Sequence, residues 1–113
     1  SLAYMRFHRD FGTFDEWQFD FMAACESAGN GWGMCVYSTF LQRFINVFVT
    51  SNTANVPVGC YPVVVIDMHE HAYYADYKNN TRGYIIKMMQ ELNWETIEER
   101  VKRADMIQKA MEA

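Results

Sequence analysis

The sequence predicts an α+β domain in which a small three-stranded antiparallel sheet is flanked by helices. Three observations support this fold class. Apolar residues follow a helical period over residues 14–28, three short apolar segments suited to strands follow, and helical spacing returns from His71 onward. Strands and helices are therefore segregated along the chain, which is typical of α+β domains rather than of alternating α/β folds.

The first predicted helix begins at Asp10-Phe11-Gly12-Thr13. Thr13 and Glu16 have the spacing of a capping box, and the acidic side chains of Asp15 and Glu16 favour the positive end of a helix. Apolar residues recur along it at helical spacing: Phe14, Trp17, Phe21, Ala24 and Ala28. Gly29 is a natural stop, because glycine adopts the left-handed conformation that ends many helices.

Two strands are predicted after this helix. Trp32–Tyr37 and Phe44–Thr50 are short and rich in β-branched and aromatic residues. The connection Ser38–Gln42 lacks a glycine, so the sequence leaves its conformation open.

A loop and a third strand are predicted next. Ser51–Pro62 carries the Asn, Gly and Pro residues that are typical of loops. Val63–Ile66 is a continuous apolar run, which predicts a buried strand ending at Asp67.

Three helices complete the prediction. His71–Tyr77 is an aromatic helix that Asn79-Asn80 interrupts, and Tyr84–Leu92 forms the next helix. The last helix is Glu95–Met111, and its apolar residues share one side: Ile97, Val101, Ala104 and Ile107 or Met111.

The composition narrows the range of functions. The 113-residue chain has a net charge of -4 and no long basic run, which argues against nucleic-acid binding through a basic patch. No stretch is long and apolar enough to span a membrane. Cys25, Cys35 and Cys60 form no C-x-x-C pair, so we expect reduced cysteines in a reducing intracellular compartment. The hydrophobic share of 50% serves either a core or an interface.

The segment from Asp67 to His71 is the most informative for chemistry. A strand end delivers Asp67, and four residues later the chain delivers His71. A carboxylate and an imidazole together suit a transition metal such as iron or manganese, and Glu70 is a candidate acceptor for a histidine N–H. Two ligands do not make a site, so spacing alone favours a polar cluster at a strand-to-helix junction.

The residues around this pair resemble iron/manganese superoxide dismutases. The family's Asp-x-Trp-Glu-His-Ala-Tyr-Tyr-x-Asp-Tyr signature is similar to Asp67-Met68-His69-Glu70-His71-Ala72-Tyr73-Tyr74-Ala75-Asp76-Tyr77. Shorter matches follow the same order along the chain: Asp10-Phe11-Gly12-Thr13-Phe14, Gly29-Asn30-Gly31-Trp32, Thr50-Ser51-Asn52 and Leu92-Asn93-Trp94-Glu95. The resemblance covers most of the chain and implies the family's C-terminal α+β domain.

The resemblance implies a metal centre and a dimer. Asp67 and His71 would be two of the four protein ligands to iron or manganese. Glu70 would reach across a homo- or heterodimer interface to the partner's His71. The metal would alternate between its trivalent and divalent states as superoxide is disproportionated.

Three further positions are candidate catalytic residues by the same resemblance. Tyr74 would lie at the dimer interface near the substrate funnel, and Trp32 would help to wall the metal pocket. His69 stands where the family has a tryptophan, so a polar, titratable ring replaces an apolar wall. His69 is either a replacement ligand or a mark of relaxed constraint.

The chain also departs from the family pattern. The other two ligands are histidines of an N-terminal helical-hairpin domain, which we expect to be absent here. His8 precedes the first predicted helix and reads as a linker residue. With two ligands, metal binding should be weak, and this chain alone should be inactive.

Two loop positions depart as well. Thr81 occupies the place of an arginine that helps to attract superoxide, and Arg82 is displaced by one position. Thr53 follows Asn52, where manganese-type members often carry a glutamine.

Two hypotheses follow from this pattern. The chain is the C-terminal half of a superoxide dismutase that works with an N-terminal domain. Alternatively, it is a non-catalytic subunit of a large mitochondrial assembly, because superoxide-dismutase-like subunits of mitochondrial ribosomes resemble it. The extra helical tail, residues 102–113, is then a candidate for binding a partner.

Overall fold

Helices enclose a three-stranded antiparallel sheet in the computed structural model, which describes residues 1–50 and 56–112. Within these residues the elements follow the order α1 (Leu2–Phe11), α2 (Phe14–Ser27), β1 (Trp32–Ser38), β2 (Arg43–Val49), β3 (Cys60–Asp67), α3 (Glu70–Tyr77), α4 (Thr81–Gln90) and α5 (Trp94–Glu112). The predicted α+β class is confirmed.

The sheet has the strand order β2-β1-β3, with both pairings antiparallel. Strand β1 is therefore central, and six of its seven residues are buried. The register sets Trp32 opposite both Val49 of β2 and Asp67 of β3. Consequently the first residue of β1 and the last residue of β3 meet at one end of the sheet.

The core is built around an aromatic cluster. Phe7 of α1 stacks on Trp17 of α2 with ring centroids 4.6 Å apart, and Trp17 stacks on Phe21 at 5.4 Å. Phe44 of β2 and Trp94 of α5 contact Phe7 edge-on. Aromatic side chains bury large apolar areas. This cluster therefore packs α1, α2 and α5 together and against strand β2 of the sheet.

Helix α1 was not predicted, and the interpretation of His8 as a linker residue was wrong. The Ser1 side chain caps the helix by accepting the N–H of Tyr4, and Ala3 and Phe7 are its buried residues. His8 lies within α1 with an exposed side chain. The signal was present in the serine cap and the i, i+4 pair, but two buried positions are too few to establish a period.

The first predicted helix, which is α2, and its cap at Thr13 are confirmed. The Thr13 hydroxyl accepts the N–H of Glu16 at 3.0 Å, and α2 begins directly after it. The helix ends at Ser27, and Gly29 has a φ of 60° in the turn that follows.

The third strand is longer than predicted. Strand β3 begins at Cys60 rather than Val63, so the predicted loop was extended too far. Pro62 lies next to a register shift in an edge strand, where a missing N–H is tolerated. Val65 is 39% exposed, so the run is not buried throughout. The predicted loop residues 51–55 lie outside the described part of the chain.

The connection that the sequence left open is a tight turn. The Gln42 N–H donates to the Ser38 carbonyl at 2.8 Å, and Gln42 has a φ of 55°. The side chain of Phe40 at its tip is 90% exposed.

The last helix is continuous through the predicted tail. Helix α5 buries Ile97, Val101 and Ala104, as predicted, and extends to Glu112. Arg6 of α1 forms a two-point ion pair with Asp105, with N–O distances of 3.2 and 2.8 Å. The tail therefore packs on α1. None of the helices among residues 1–50 and 56–112 has the length and apolarity needed to cross a membrane.

Candidate functional site

The candidate site lies where β1 begins and β3 ends. Pairing of Trp32 with Asp67 brings the two strand ends together, and α3 starts three residues later at Glu70. The Met68 N–H donates to the Gly31 carbonyl at 2.8 Å, which ties the junction to the turn before β1. This turn-and-strand framework determines where the acidic and histidine side chains project.

Asp67 and His71, the predicted ligand pair, lie close together. Oδ2 of Asp67 is 3.4 Å from Nε2 of His71. The Asp67 side chain is 28% exposed and the His71 side chain is 76% exposed, so both are accessible to solvent. A strand end and the first turn of a helix thus present a carboxylate and an imidazole to the same region.

His69 occupies the other oxygen of the same carboxylate. Its Nδ1 lies 2.7 Å from Oδ1 of Asp67, and its backbone N–H donates to that oxygen at 2.9 Å. The His69 ring stacks on that of His71 with centroids 5.4 Å apart. The three polar side chains therefore form one cluster in which both oxygens of Asp67 have a histidine partner.

The environment favours the ionised form of Asp67. Partial burial, the largest single influence, raises the pKa of the carboxyl group, but the hydrogen bonds from the backbone and ring of His69 oppose it, as do the charges of His69 and His71. The net result is a pKa below the usual range. A carboxylate held ionised is suited to binding a cation or an imidazolium.

Trp32 forms one wall of the cluster. Its ring meets that of His69 edge-on, with centroids 5.5 Å apart. The side chain is half-buried, and its Nε1 is buried with no hydrogen-bond partner among residues 1–50 and 56–112. Its expected roles, as a wall of a metal pocket and as a catalytic residue, stay predictions.

The predicted interface residues lie on an exposed face of α3. Glu70 is exposed at the start of the helix, and the Tyr74 side chain is 51% exposed one turn later. Tyr73, by contrast, is buried against Tyr84. The contact of Glu70 with a partner's His71 stays a prediction, since it needs a second subunit.

The donors on this chain fit part of a metal site. A carboxylate and an imidazole are suitable ligands for iron or manganese. Within the described ranges, however, no group of three or more His, Cys, Asp or Glu side chains is arranged to hold a metal ion. His69 does not convert the pair into a three-donor site because its Nδ1 is directed at Asp67. Among the described residues the arrangement therefore offers two metal-type donors, the Asp67 carboxylate and the His71 imidazole.

Two residues that support the cluster were not predicted. The Tyr84 hydroxyl donates to the Asp67 carbonyl at 2.8 Å, and burial raises the pKa of this phenol, so it remains a donor. The Asn30 side-chain oxygen accepts the N–H of Glu70 at 3.2 Å. Sequence patterns placed Tyr84 in a helix and Asn30 directly after the helix stop at Gly29, but they carry no information on contacts over such separations.

The displaced arginine does not point to the cluster. Nη1 of Arg82 lies 3.3 Å from Oε1 of Glu26 on α2, and both side chains are solvent-exposed. Arg82, which the sequence shows displaced by one position, is thus directed to α2. Asn52 and Thr53, the latter at the position of the glutamine in manganese-type members, lie outside the described residues.

Comparison with known proteins gives a consistent result. Residues 3–100 match the family described as iron/manganese superoxide dismutases, C-terminal domain. The chain is 35% identical over 95 residues to a superoxide dismutase [Mn] of Nocardia asteroides, covering 83% of this chain and 46% of that relative. It is 36% identical over 91 residues to the superoxide dismutase [Mn] of Mycolicibacterium fortuitum, covering 80% and 44%. The chain thus spans less than half the length of these relatives.

Proposed function

The chain belongs to the iron/manganese superoxide dismutase family, whose C-terminal domain it matches over residues 3–100, and on this basis we propose that it supplies half of a metal centre that disproportionates superoxide. Asp67 and His71 would hold iron or manganese. The remaining ligands would be histidines from outside this domain, because the described part of the chain provides no third donor.

One observation carries the proposal: Asp67 and His71 converge, with a carboxylate oxygen and an imidazole nitrogen 3.4 Å apart. The two side chains belong to different elements, and neither helical nor strand periodicity by itself brings them together. Their proximity to a half-buried tryptophan also gives the cluster an apolar side.

The chemistry that iron or manganese supplies when bound is the transfer of one electron from one superoxide to another, so that two superoxides and two protons give oxygen and hydrogen peroxide. The chain's own residues orient and shield that centre. The ionised Asp67 lowers the net charge of the cation, and Trp32 limits the access of water. Tyr74, exposed one turn after Glu70, is placed to border the entry path in a dimer.

The oligomeric state belongs to the same proposal. Glu70 and His71 lie on the exposed start of α3, which suits a homo- or heterodimer contact through this region. In this arrangement the ring N–H of the partner's His71 donates a hydrogen bond to the Glu70 carboxylate. A chain without the other ligands binds metal weakly and has no appreciable activity.

Activity of the protein purified with its natural partners tests the enzymatic proposal. Dismutation of superoxide should be measured for the wild type, for His71→Ala and for His8→Ala, the matched control that removes an exposed histidine from α1. The proposal predicts that His71→Ala abolishes the activity and that His8→Ala retains it. Equal activities in the two variants, or an inactive wild type carrying a full complement of metal, would contradict the proposal.

The second candidate function is structural, and it is favoured by the contact between His69 and Asp67. A histidine that occupies one oxygen of the ligand carboxylate satisfies this group without a metal ion. We propose as the alternative that the fold is a non-catalytic subunit of a large mitochondrial assembly, such as the mitochondrial ribosome. Sedimentation of native mitochondrial extracts would separate the two: the alternative requires the protein in a large complex, and a free, active dimer excludes it.

A further inference from the structure

Two side chains from outside the segment Asp67–His71 hold this segment near its ends. The Tyr84 hydroxyl donates to the Asp67 carbonyl at 2.8 Å, and the Asn30 side-chain oxygen accepts the Glu70 N–H at 3.2 Å. We propose that Tyr84 and Asn30 are positioning residues that jointly set the separation between the Asp67 carboxylate and the His71 imidazole. This inference rests on the proposed role of that pair in holding a metal.

The separation of the pair needs external support because its members lie on different backbone units. Asp67 is the last residue of β3, and His71 lies in the first turn of α3. Rotation of α3 relative to the strand would move the imidazole without breaking any sheet hydrogen bond. A defined distance between the two side chains therefore requires an anchor on the strand side and another on the helix side.

Tyr84 is a rigid anchor on the strand side. It is 5% exposed, and its ring lies against Tyr73 and Tyr77 with centroid distances of 5.1 and 5.9 Å. Both of these neighbours belong to α3, whereas the hydroxyl bonds to the end of β3. One side chain of α4 thus contacts both units that carry the candidate ligands.

Asn30 is the anchor on the helix side. The cap residue of α3, His69, makes no side-chain cap hydrogen bond, because its ring is engaged with Asp67. The amide oxygen of Asn30, which lies in the turn before β1, accepts the Glu70 N–H instead. A helix start that is capped from a distant turn has a fixed position relative to that turn. His71 follows immediately, so its projection depends on this cap.

Tyr84→Phe tests the strand-side anchor in the full chain, since it removes only the hydroxyl. Tyr73→Phe is the matched control, because it makes the same chemical change on the neighbouring buried ring. Binding of Mn²⁺ is followed by paramagnetic broadening of NMR signals from residues around Asp67 and His71. We expect Tyr84→Phe to raise the Mn²⁺ midpoint by about fivefold, the effect of losing one hydrogen bond. An unchanged midpoint, or an equal shift in Tyr73→Phe, overturns the inference.

Asn30→Ala tests the helix-side anchor, and Asn30→Asp restores an acceptor oxygen at the same position. We expect Asn30→Ala to weaken Mn²⁺ binding by about threefold or more and Asn30→Asp to recover the wild-type midpoint. A role limited to general stability would not produce this rescue. Equal Mn²⁺ midpoints in wild type, Asn30→Ala and Asn30→Asp would show that the Asn30 cap does not set the separation between Asp67 and His71.

Failure of the inference is distinguishable from failure of the proposed function. A wild-type chain without localised broadening at any Mn²⁺ concentration overturns the metal proposal and this inference with it. Localised broadening in the wild type that is unchanged in Tyr84→Phe and in Asn30→Ala overturns the positioning role alone. Without metal, we expect the ¹³C chemical shift of the Asp67 carbonyl to change in Tyr84→Phe but not in Tyr73→Phe. An Asp67 carbonyl shift that is the same in wild type and Tyr84→Phe overturns the contact itself.

Discussion

Nδ1 of His69 lies 2.7 Å from Oδ1 of Asp67, on the carboxylate whose other oxygen, Oδ2, lies 3.4 Å from Nε2 of His71. The resemblance to the family had left two meanings for His69, a replacement ligand or a relaxed position. The contact suggests a third role, in which the His69 ring competes with a metal ion for the Asp67 carboxylate. These three roles of His69 predict different effects of its replacement on metal affinity.

His69→Phe should raise the affinity of the chain for Mn²⁺ by roughly three- to tenfold, because no ring hydrogen bond then has to be displaced from Asp67. The measurement is the Mn²⁺ midpoint from paramagnetic NMR broadening. His8→Phe is the control, since it removes an exposed imidazole that stacks on Tyr4 in α1, far from Asp67 in sequence. A higher Mn²⁺ midpoint in His69→Phe, which means weaker binding, would show instead that His69 is a ligand.

Gly31→Ala should destabilise the fold by about 3 kcal/mol, at the upper end of overpacking effects. A Cβ at this buried position would lie 1.7 Å from the Val49 carbonyl oxygen and 3.0 Å from that of Ala28, and backbone atoms cannot move aside cheaply. Urea unfolding measures the change. Gly29→Ala is the control because its Cβ meets open space and carries only the strain of a φ of 60°. Equal losses in both variants would refute the close approach.

Glu98→Gln should lower the free energy of unfolding at pH 7 by about 1 kcal/mol. The Glu98 carboxylate accepts the N–H groups of Leu2 and Ala3, both at 2.8 Å, and thereby anchors the start of α1 on α5. Urea unfolding gives the loss, and Glu99→Gln serves as the control on an exposed neighbour.

The same carboxylate should make stability depend on pH. Although burial raises the pKa of Glu98, the hydrogen bonds from Ala3 and Leu2 outweigh it and leave the folded-state pKa below the ordinary value. A depressed pKa contributes stability that is fully present above the unfolded value of about 4.3 and is lost as the pH falls through the folded value. The difference between wild type and Glu98→Gln should therefore shrink below about pH 4. A constant difference from pH 7 to pH 3 would contradict this anchor.

Removal of residues 103–113 should destabilise the domain by about 2 kcal/mol, although the family match ends at Arg100. The deleted stretch includes the fully buried Ala104, the ion pair between Arg6 and Asp105, and the Gln108 side chain that the Tyr37 hydroxyl contacts. Urea unfolding compares this truncation with removal of residues 111–113 alone, where Met111 is 56% exposed. Equal stabilities would identify the tail as a free extension.

Local signals account for most of the correctly predicted fold. The capping box at Thr13 and the apolar period of α2 are interactions between near neighbours, and these can be read from sequence. Helix α1 was missed because only Ala3 and Phe7 mark its buried side. The start of β3 was missed because Pro62 predicts a loop, whereas pairing with β1 and the register shift override that preference.

The candidate site shows the same difference between local signals, which the sequence carries, and contacts between residues far apart in sequence, which it does not. Asp67 and His71 were predicted from the resemblance of the surrounding motif, because their spacing alone favoured a polar cluster without a metal. The contacts of Tyr84 and Asn30 join positions 17 and 40 residues apart, and no local rule predicts them. The engagement of His69 with Asp67 is local, but a side-chain direction at a helix cap depends on geometry that the sequence pattern does not specify.

We propose that Asp67 and His71 hold one metal ion together with donors from outside this domain. The most direct measurement is the iron and manganese content of the protein purified with its natural partners, compared among wild type, His71→Ala and Asp76→Ala, a control on the exposed face of the same helix. We expect a stoichiometric metal in the wild type and in Asp76→Ala, and its loss in His71→Ala. A wild-type protein without bound iron or manganese, or undiminished metal in His71→Ala, would contradict it.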